Sequence, residues 1–189
     1  VAGQDTGHRW IVDPLDGTTN YVHGDSPYSV SIALTHNDEI ILGIVYDPVV
    51  EELYCATSER GSTLNGAPIK ISQHATLQSG HMRFGIPYHL DERGEGILKR
   101  TTEQYRKSSF RIKGSAAVEL CYVAAGRSDA YFHSGLSPWD VAAGSIILKK
   151  AGGTITDFSG NDNYIFGREI VGSNGLIHRE IMDNIIKER

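Results

Sequence analysis

Polar and apolar positions alternate along the first third of the chain and then give way to mixed strand and helix periods. Residues 9–13 are a short apolar run ending in Asp13, which predicts a buried strand. Residues 14–24 are rich in Gly, Thr and Asn and predict a turn, with Asp16 as an N-cap type for a short helix near Thr18. From 27 to 36, Tyr28, Val30, Ile32 and Leu34 alternate with Ser29, Ser31, Ala33 and Thr35, the pattern of a strand with one packed side. Asn37-Asp38 supplies a turn, and Glu39 to Tyr46 closes a β-hairpin. A third strand is expected at 52–57, a turn within 61–68 and a short return strand over Ile69–Ile71. Residues 9–72 thus read as an antiparallel meander.

From residue 73 the pattern changes. Strands are expected at 79–84, 110–112, 130–133, 154–157 and 170–173. Helices are expected at 90–105, 115–125, 137–151 and 176–187. The helix over 115–125 is apolar on nearly all sides and is expected to be buried. Alternating strands and helices predict a layered α+β or α/β fold, with an antiparallel half (residues 1–77) packed against a mixed α/β half (residues 78–189).

Charge removes one function class. The 189 residues carry a net charge of -5, from 18 basic and 23 acidic side chains, with no block of like sign. The basic footprint of a nucleic-acid binder is missing, so an anionic ligand must be held locally. Cys55 and Cys121 sit in apolar surroundings and read as reduced core thiols. The chain offers no membrane-spanning run and no signal-peptide pattern, so a soluble, cytoplasmic protein is expected. It opens on Val1 without a methionine, and reads as a chain whose first part is absent.

The chemistry concentrates in Trp10-Ile-Val-Asp13-Pro-Leu-Asp16-Gly-Thr-Thr-Asn20. Two carboxylates three residues apart around a turn can converge on a hard cation, with the Leu15 carbonyl as a third oxygen. Backbone N–H groups of the following turn suit an anion. A site holding both fits a divalent metal and a phosphate ester. The spacing excludes an EF-hand loop. The competing reading makes Asp13 and Asp16 turn and cap residues. Thr18 either orients a water beside the metal or caps a helix. Asp140, in Ser137-Pro-Trp-Asp140, stands at the third position of a well-formed helix start, where it caps the helix or completes a metal shell. Gly114-Ser115-Ala116-Ala117 opens a helix with small residues, suited to an anion or simply to close packing. His133 ends a strand seven residues before Asp140.

Together these segments resemble the inositol monophosphatase family, the Mg²⁺-dependent, lithium-sensitive sugar-phosphate phosphatases. Residues 10–21 are similar to its first signature. Trp139-Asp140-Val-Ala-Ala-Gly-Ser-Ile-Ile-Leu, running to Gly153, is similar to its second, and Gly114–Ala130 to the segment between. The resemblance spans essentially the whole chain and implies the layered sugar-phosphatase fold. It implies that Asp13, the Leu15 carbonyl, Asp16 and Asp140 ligate two or three Mg²⁺ ions. It further implies that Gly17 and Thr18 hold the phosphate, that Thr18 with Asp13 helps activate the attacking water, and that Gly114, Ser115, Ala116 and His133 line the sugar pocket. The implied reaction is in-line hydrolysis of a sugar or inositol phosphate by a homodimer, without a covalent intermediate.

Two departures matter. The family's acidic Gly-Glu-Glu-type element has no counterpart in these residues, which leaves a non-catalytic binding module as the runner-up expectation. Many inositol-specific members carry a glutamate where His133 stands, which puts myo-inositol 1-phosphate in question. Fructose 1,6-bisphosphate and nucleotide-linked phosphates are the alternatives within the superfamily.

Overall fold

The computed structural model describes residues 7–87, 89–105 and 108–187. Six strands form the first sheet: β1 (His8–Asp16), β2 (Ser29–His36), β3 (Glu39–Asp47), β4 (Glu52–Thr57), β5 (Thr63–Leu64) and β6 (Ala67–Pro68). They lie side by side in sequence order, every neighbour antiparallel. The return strand expected at Ile69–Ile71 forms earlier, at β6. Asn65 and Gly66 both take positive φ, 49° and 81°. That is the two-residue hairpin turn, so Leu64 pairs with Ala67 at once. Ile69 and Ile71 pack on the core instead.

The second sheet holds β7 (His81–Phe84), β8 (Ser109–Arg111), β9 (Ala130–Ser134), β10 (Thr154–Thr156) and β11 (Glu169–Ser173), in the order β10-β11-β9-β7-β8. β7 runs parallel to both its neighbours and the remaining pairs are antiparallel. The strand expected from residue 79 starts at His81, because Leu77–Ser79 close a 3₁₀ turn whose Ser79 N–H donates to Thr76 Oγ1. The helices are α1 (Thr18–His23), α2 (Glu92–Tyr105), α3 (Ala116–Ala124), α4 (Pro138–Lys150) and α5 (His178–Ile181). The closing helix expected over 176–187 is not uniform. After α5 it widens into a π turn, Met182–Ile186. Arg100 on α2 takes the carbonyls of Ile185 and Ile186, at 2.7 and 3.2 Å. As the last carbonyls of the helix they have no ladder partner, and Arg100 satisfies them.

Helices α3 and α4 lie between the sheets and carry the larger core, while α2 and the C-terminal turns cover the far face of the second sheet. The packed side of β2 is its small side. Ser29, Ser31, Ala33 and Thr35 are buried, and Val30, Ile32 and Leu34 are only half-buried. Close approach of α4 explains this: a Cβ on Gly43 of β3 would lie 2.6 Å from the Ala143 carbonyl. Small side chains let the helix settle onto the sheet and bring its N-terminus to β1 and β2. Cys121 is fully buried and Cys55 half-buried, both as free thiols. Among the described residues no helix is long and apolar enough to cross a membrane.

Candidate active site

The two acids of the first signature stand on a bulge, not on a turn beyond a finished strand. β1 continues through both of them. Asp13 pairs with Ser31 and Asp16 with Ser29, three steps on β1 against two on β2. Residues three apart on a regular strand point to opposite faces. The extra residue restores the phase, so both carboxylates share the inner face with Ser29 and Ser31. Pro14 sits inside the bulge, where its lack of an N–H costs the ladder nothing. Leu15 N–H donates to Asp13 Oδ1 at 3.0 Å, fixing that carboxylate across the bulge.

Asp16 is not the cap of α1. The cap position is Gly17, with φ 85°. A Cβ there would meet the Pro27 carbonyl at 2.9 Å, so glycine is required both by backbone and by space. Asp16 turns inward instead and is buried. Its Oδ2 accepts the Ser115 hydroxyl at 2.5 Å and the Ala117 N–H at 2.9 Å, both from the start of α3. Asp140 arrives from α4. Its Oδ2 accepts the Ser137 N–H at 2.7 Å, which is the helix-capping role. The same side chain faces Asp13 and Asp16, so capping and site-building coexist. One carboxylate oxygen from each of Asp13, Asp16 and Asp140 lies within 4.8 Å of the others.

Three carboxylates this close repel one another. Burial pushes the Asp16 carboxyl up to about 6, with Asp140 and Asp13 adding to the rise and the Ser115 and Ala117 donors opposing it. Burial also raises Asp140, helped by the Asp13 charge and opposed by the Ser137 N–H. An all-oxygen donor set whose ionised form is held at a cost fits a hard divalent cation, which supplies the missing positive charge.

The sign of the pH effect follows. The folded protein binds a proton at Asp16 more tightly than the unfolded chain does, so the metal-free fold loses stability as pH rises from about 4 to about 6. A divalent cation held by these carboxylates would compete with the proton for the same oxygen, so binding of added Mg²⁺ would weaken by roughly tenfold per pH unit below about 6. Mg²⁺ titrations at pH 5 and pH 7 check this.

Around the acids lies a cleft of about 560 Å³. Asp13, Leu15, Asp16, Gly17, Thr18, Gly114, Ala116, His133 and Asp140 all line it. Ser115 does not. It lies fully buried behind Asp16, with its hydroxyl also 3.3 Å from that of Ser29. Thr18 Oγ1 donates to the Leu15 carbonyl at 2.9 Å. Burial depresses His133 to about 4, so the ring is neutral at neutral pH. With Asp16 as a cation ligand, Ser115→Ala would weaken binding of added Mg²⁺ by about 10–100-fold, the usual cost of losing a partner behind a metal ligand. Calorimetric titration of the variant measures it.

Sequence reasoning missed four contributors. Asn20 donates to the carbonyls of Pro27 and Lys113, each at 2.7 Å, and so ties α1 to the Gly114 turn. Tyr131 reaches the cleft from β9. Glu119 lies at the cleft floor, paired with Arg83 at 3.0 Å. An acid inside an apolar helix and an arginine inside an interior strand were the available signals for the last two.

The family model described as the inositol monophosphatase family matches residues 1–189. An inositol-1-monophosphatase of Mesorhizobium japonicum is 37% identical over 189 residues, which cover 99% of this chain and 71% of that protein. A fructose-1,6-bisphosphatase/inositol-1-monophosphatase of Thermotoga maritima is 41% identical over 173 residues, 92% of this chain and 66% of the relative. The crystal structure of extragenic suppressor protein suhB from Bartonella henselae superposes with a TM-score of 0.93 at 33% identity, covering 100% of this chain and 73% of that one. The layered fold, the matched family and these relatives agree: the chain belongs to the inositol monophosphatase family and is a phosphoric monoester hydrolase.

Proposed function

We propose that this chain hydrolyses phosphate monoesters of sugars or inositol in a Mg²⁺-dependent reaction. The observation that carries the reading is the convergence of the Asp13, Asp16 and Asp140 carboxylates within 4.8 Å at the wall of a cleft. Those three and the Leu15 carbonyl are the residues that would hold two or three Mg²⁺ ions. When bound, a divalent cation neutralises charge on the phosphoryl group and lowers the pKa of water.

The chain's own groups do the rest. Backbone N–H groups of Gly17 and Thr18 hold the phosphoryl oxygens. The Thr18 hydroxyl spends its proton on the Leu15 carbonyl and so presents a lone pair, with which it orients the attacking water together with Asp13. Gly114 and Ala116 leave room for the leaving alcohol. Ser115 acts indirectly, by holding Asp16. A neutral His133 reads hydroxyls by hydrogen bonding without adding charge. The Thermotoga relative is named for two polyol phosphates, which supports a substrate range broader than inositol alone.

Three further properties belong to the same reading: inhibition by Li⁺, a homodimer, and a reducing cytoplasmic setting that suits the free thiols. The test is phosphate release from a panel of sugar and inositol phosphates with Mg²⁺, with and without Li⁺, and with a chelator. Mg²⁺-stimulated, Li⁺-sensitive release is expected. Equal turnover in chelator would sink the reading.

A further inference from the structure

Strand β9 alternates between two environments. Ala130 and Phe132 face the core under α2, and Tyr131 and His133 face the cleft. Tyr131 is 98% covered, since its exposure is 2%. Its ring belongs to the core, yet the residue lines the cleft. Its hydroxyl has no hydrogen-bond partner among the described residues. It is not among the fully buried, unpartnered side-chain atoms of the described residues, so it is reached from the cleft.

Tyr131 lines the same cleft as Asp16, Glu119 and Asp140. Arg83 is the register partner of Tyr131 on β7, and it holds the Glu119 carboxylate at 3.0 Å. The His133 ring stands 6.2 Å away on the same strand face. Burial keeps the phenol protonated, and the charges of Glu119, Asp16 and Asp140 act in the same direction. It is therefore a donor with no acceptor among the described residues.

We propose that Tyr131 is a specificity-determining residue. Its hydroxyl donates a hydrogen bond to a hydroxyl oxygen of the leaving alcohol close to the ester, so that the cleft favours polyol phosphates over esters of plain alcohols. This rests on the phosphatase reading above and deepens it. A site built to pair with a substrate hydroxyl discriminates against an analogue lacking one, because the bound analogue cuts the donor off from water and leaves it unpaired.

The test is a ratio. The values of kcat/KM for inositol 1-phosphate and for cyclohexyl phosphate, a ring of similar size without hydroxyls, are measured on the wild-type chain and on Tyr131→Phe. The wild type is expected to favour the hydroxylated ester, and the variant to lower that preference by roughly tenfold, the worth of one hydrogen bond in a desolvated site. An unchanged ratio would overturn the proposal, whether the variant is fully active or uniformly weakened, since a packing role affects both esters alike. A wild type with no preference would overturn it without any variant. If neither ester is hydrolysed while Mg²⁺ is present, it is the phosphatase reading that has failed.

Discussion

Asp140→Asn is expected to lower Mg²⁺-dependent phosphate release by at least about a hundredfold. Loss of a partner behind a metal ligand typically costs about 10–100-fold, and loss of charge on a ligand costs more. The amide keeps the shape of the side chain and can still accept the Ser137 N–H through its oxygen, so α4 keeps its cap. What changes is the charge facing Asp13 and Asp16. The melting temperature should therefore hold or rise slightly in the metal-free protein, because one of three mutually repelling carboxylates is gone. Activity and stability are expected to move apart. A variant that loses both in proportion would show Asp140 to be a helix cap and nothing more. Phosphate release and thermal melting on the same preparation distinguish the two.

The second large effect concerns the ion pair under the cleft. Arg83 and Glu119 are 3.0 Å apart, with side chains 9% and 1% exposed. Glu119 Oε1 and Arg83 Nε are buried without a partner, so the pair is not fully satisfied. Burial raises the Glu119 carboxyl to about 7 even against the pull of Arg83. The two partners respond differently to being left alone. Glu119 without Arg83 can take up a proton and become neutral. Arg83 without Glu119 cannot lose its charge, and among the described residues its stacking over Tyr122, at 4.7 Å, is what remains. Glu119→Leu is therefore expected to cost about 3–5 kcal/mol, and Arg83→Met clearly less. For a chain of this length the first corresponds to a fall of roughly 6–20 °C in melting temperature. The double variant should recover most of the loss, because two apolar side chains replace a desolvated pair. Losses that simply add in the double variant would contradict the argument. Thermal melting of the three variants measures this.

What was legible in the sequence followed interaction range. The meander, the buried apolar helix and the capped start of α4 rest on neighbours a few residues apart, and the patterns at 27–36, 115–125 and 137–140 expose them. The acids at 13 and 16 were legible as a pair for the same reason. Their shared face was not, because it depends on register against Ser29 and Ser31, which a single strand cannot reveal. Which face of β2 is packed was not legible for a related reason: alternation separates two faces without saying which one α4 covers, and the position of α4 is set by Gly43 and the small residues beside it. Ser115 read as a pocket residue because a small helix start looks the same whether it meets a ligand or a carboxylate 99 residues away in the chain. The hairpin at Asn65-Gly66 and the π turn at the C-terminus shifted boundaries through a turn type and through Arg100, neither of which hydrophobic periodicity reports.

The proposed chemistry depends on cations held between β1 and α4. Mn²⁺ is a hard, oxygen-seeking relative of Mg²⁺ that can be located by its anomalous scattering. Crystals of the protein grown with Mn²⁺ are predicted to show an anomalous peak in contact with carboxylate oxygens of Asp13, Asp16 and Asp140, and no peak there in Asp140→Asn. A wild-type crystal that hydrolyses a sugar phosphate in Mn²⁺ yet shows no metal at these three residues would contradict the central claim.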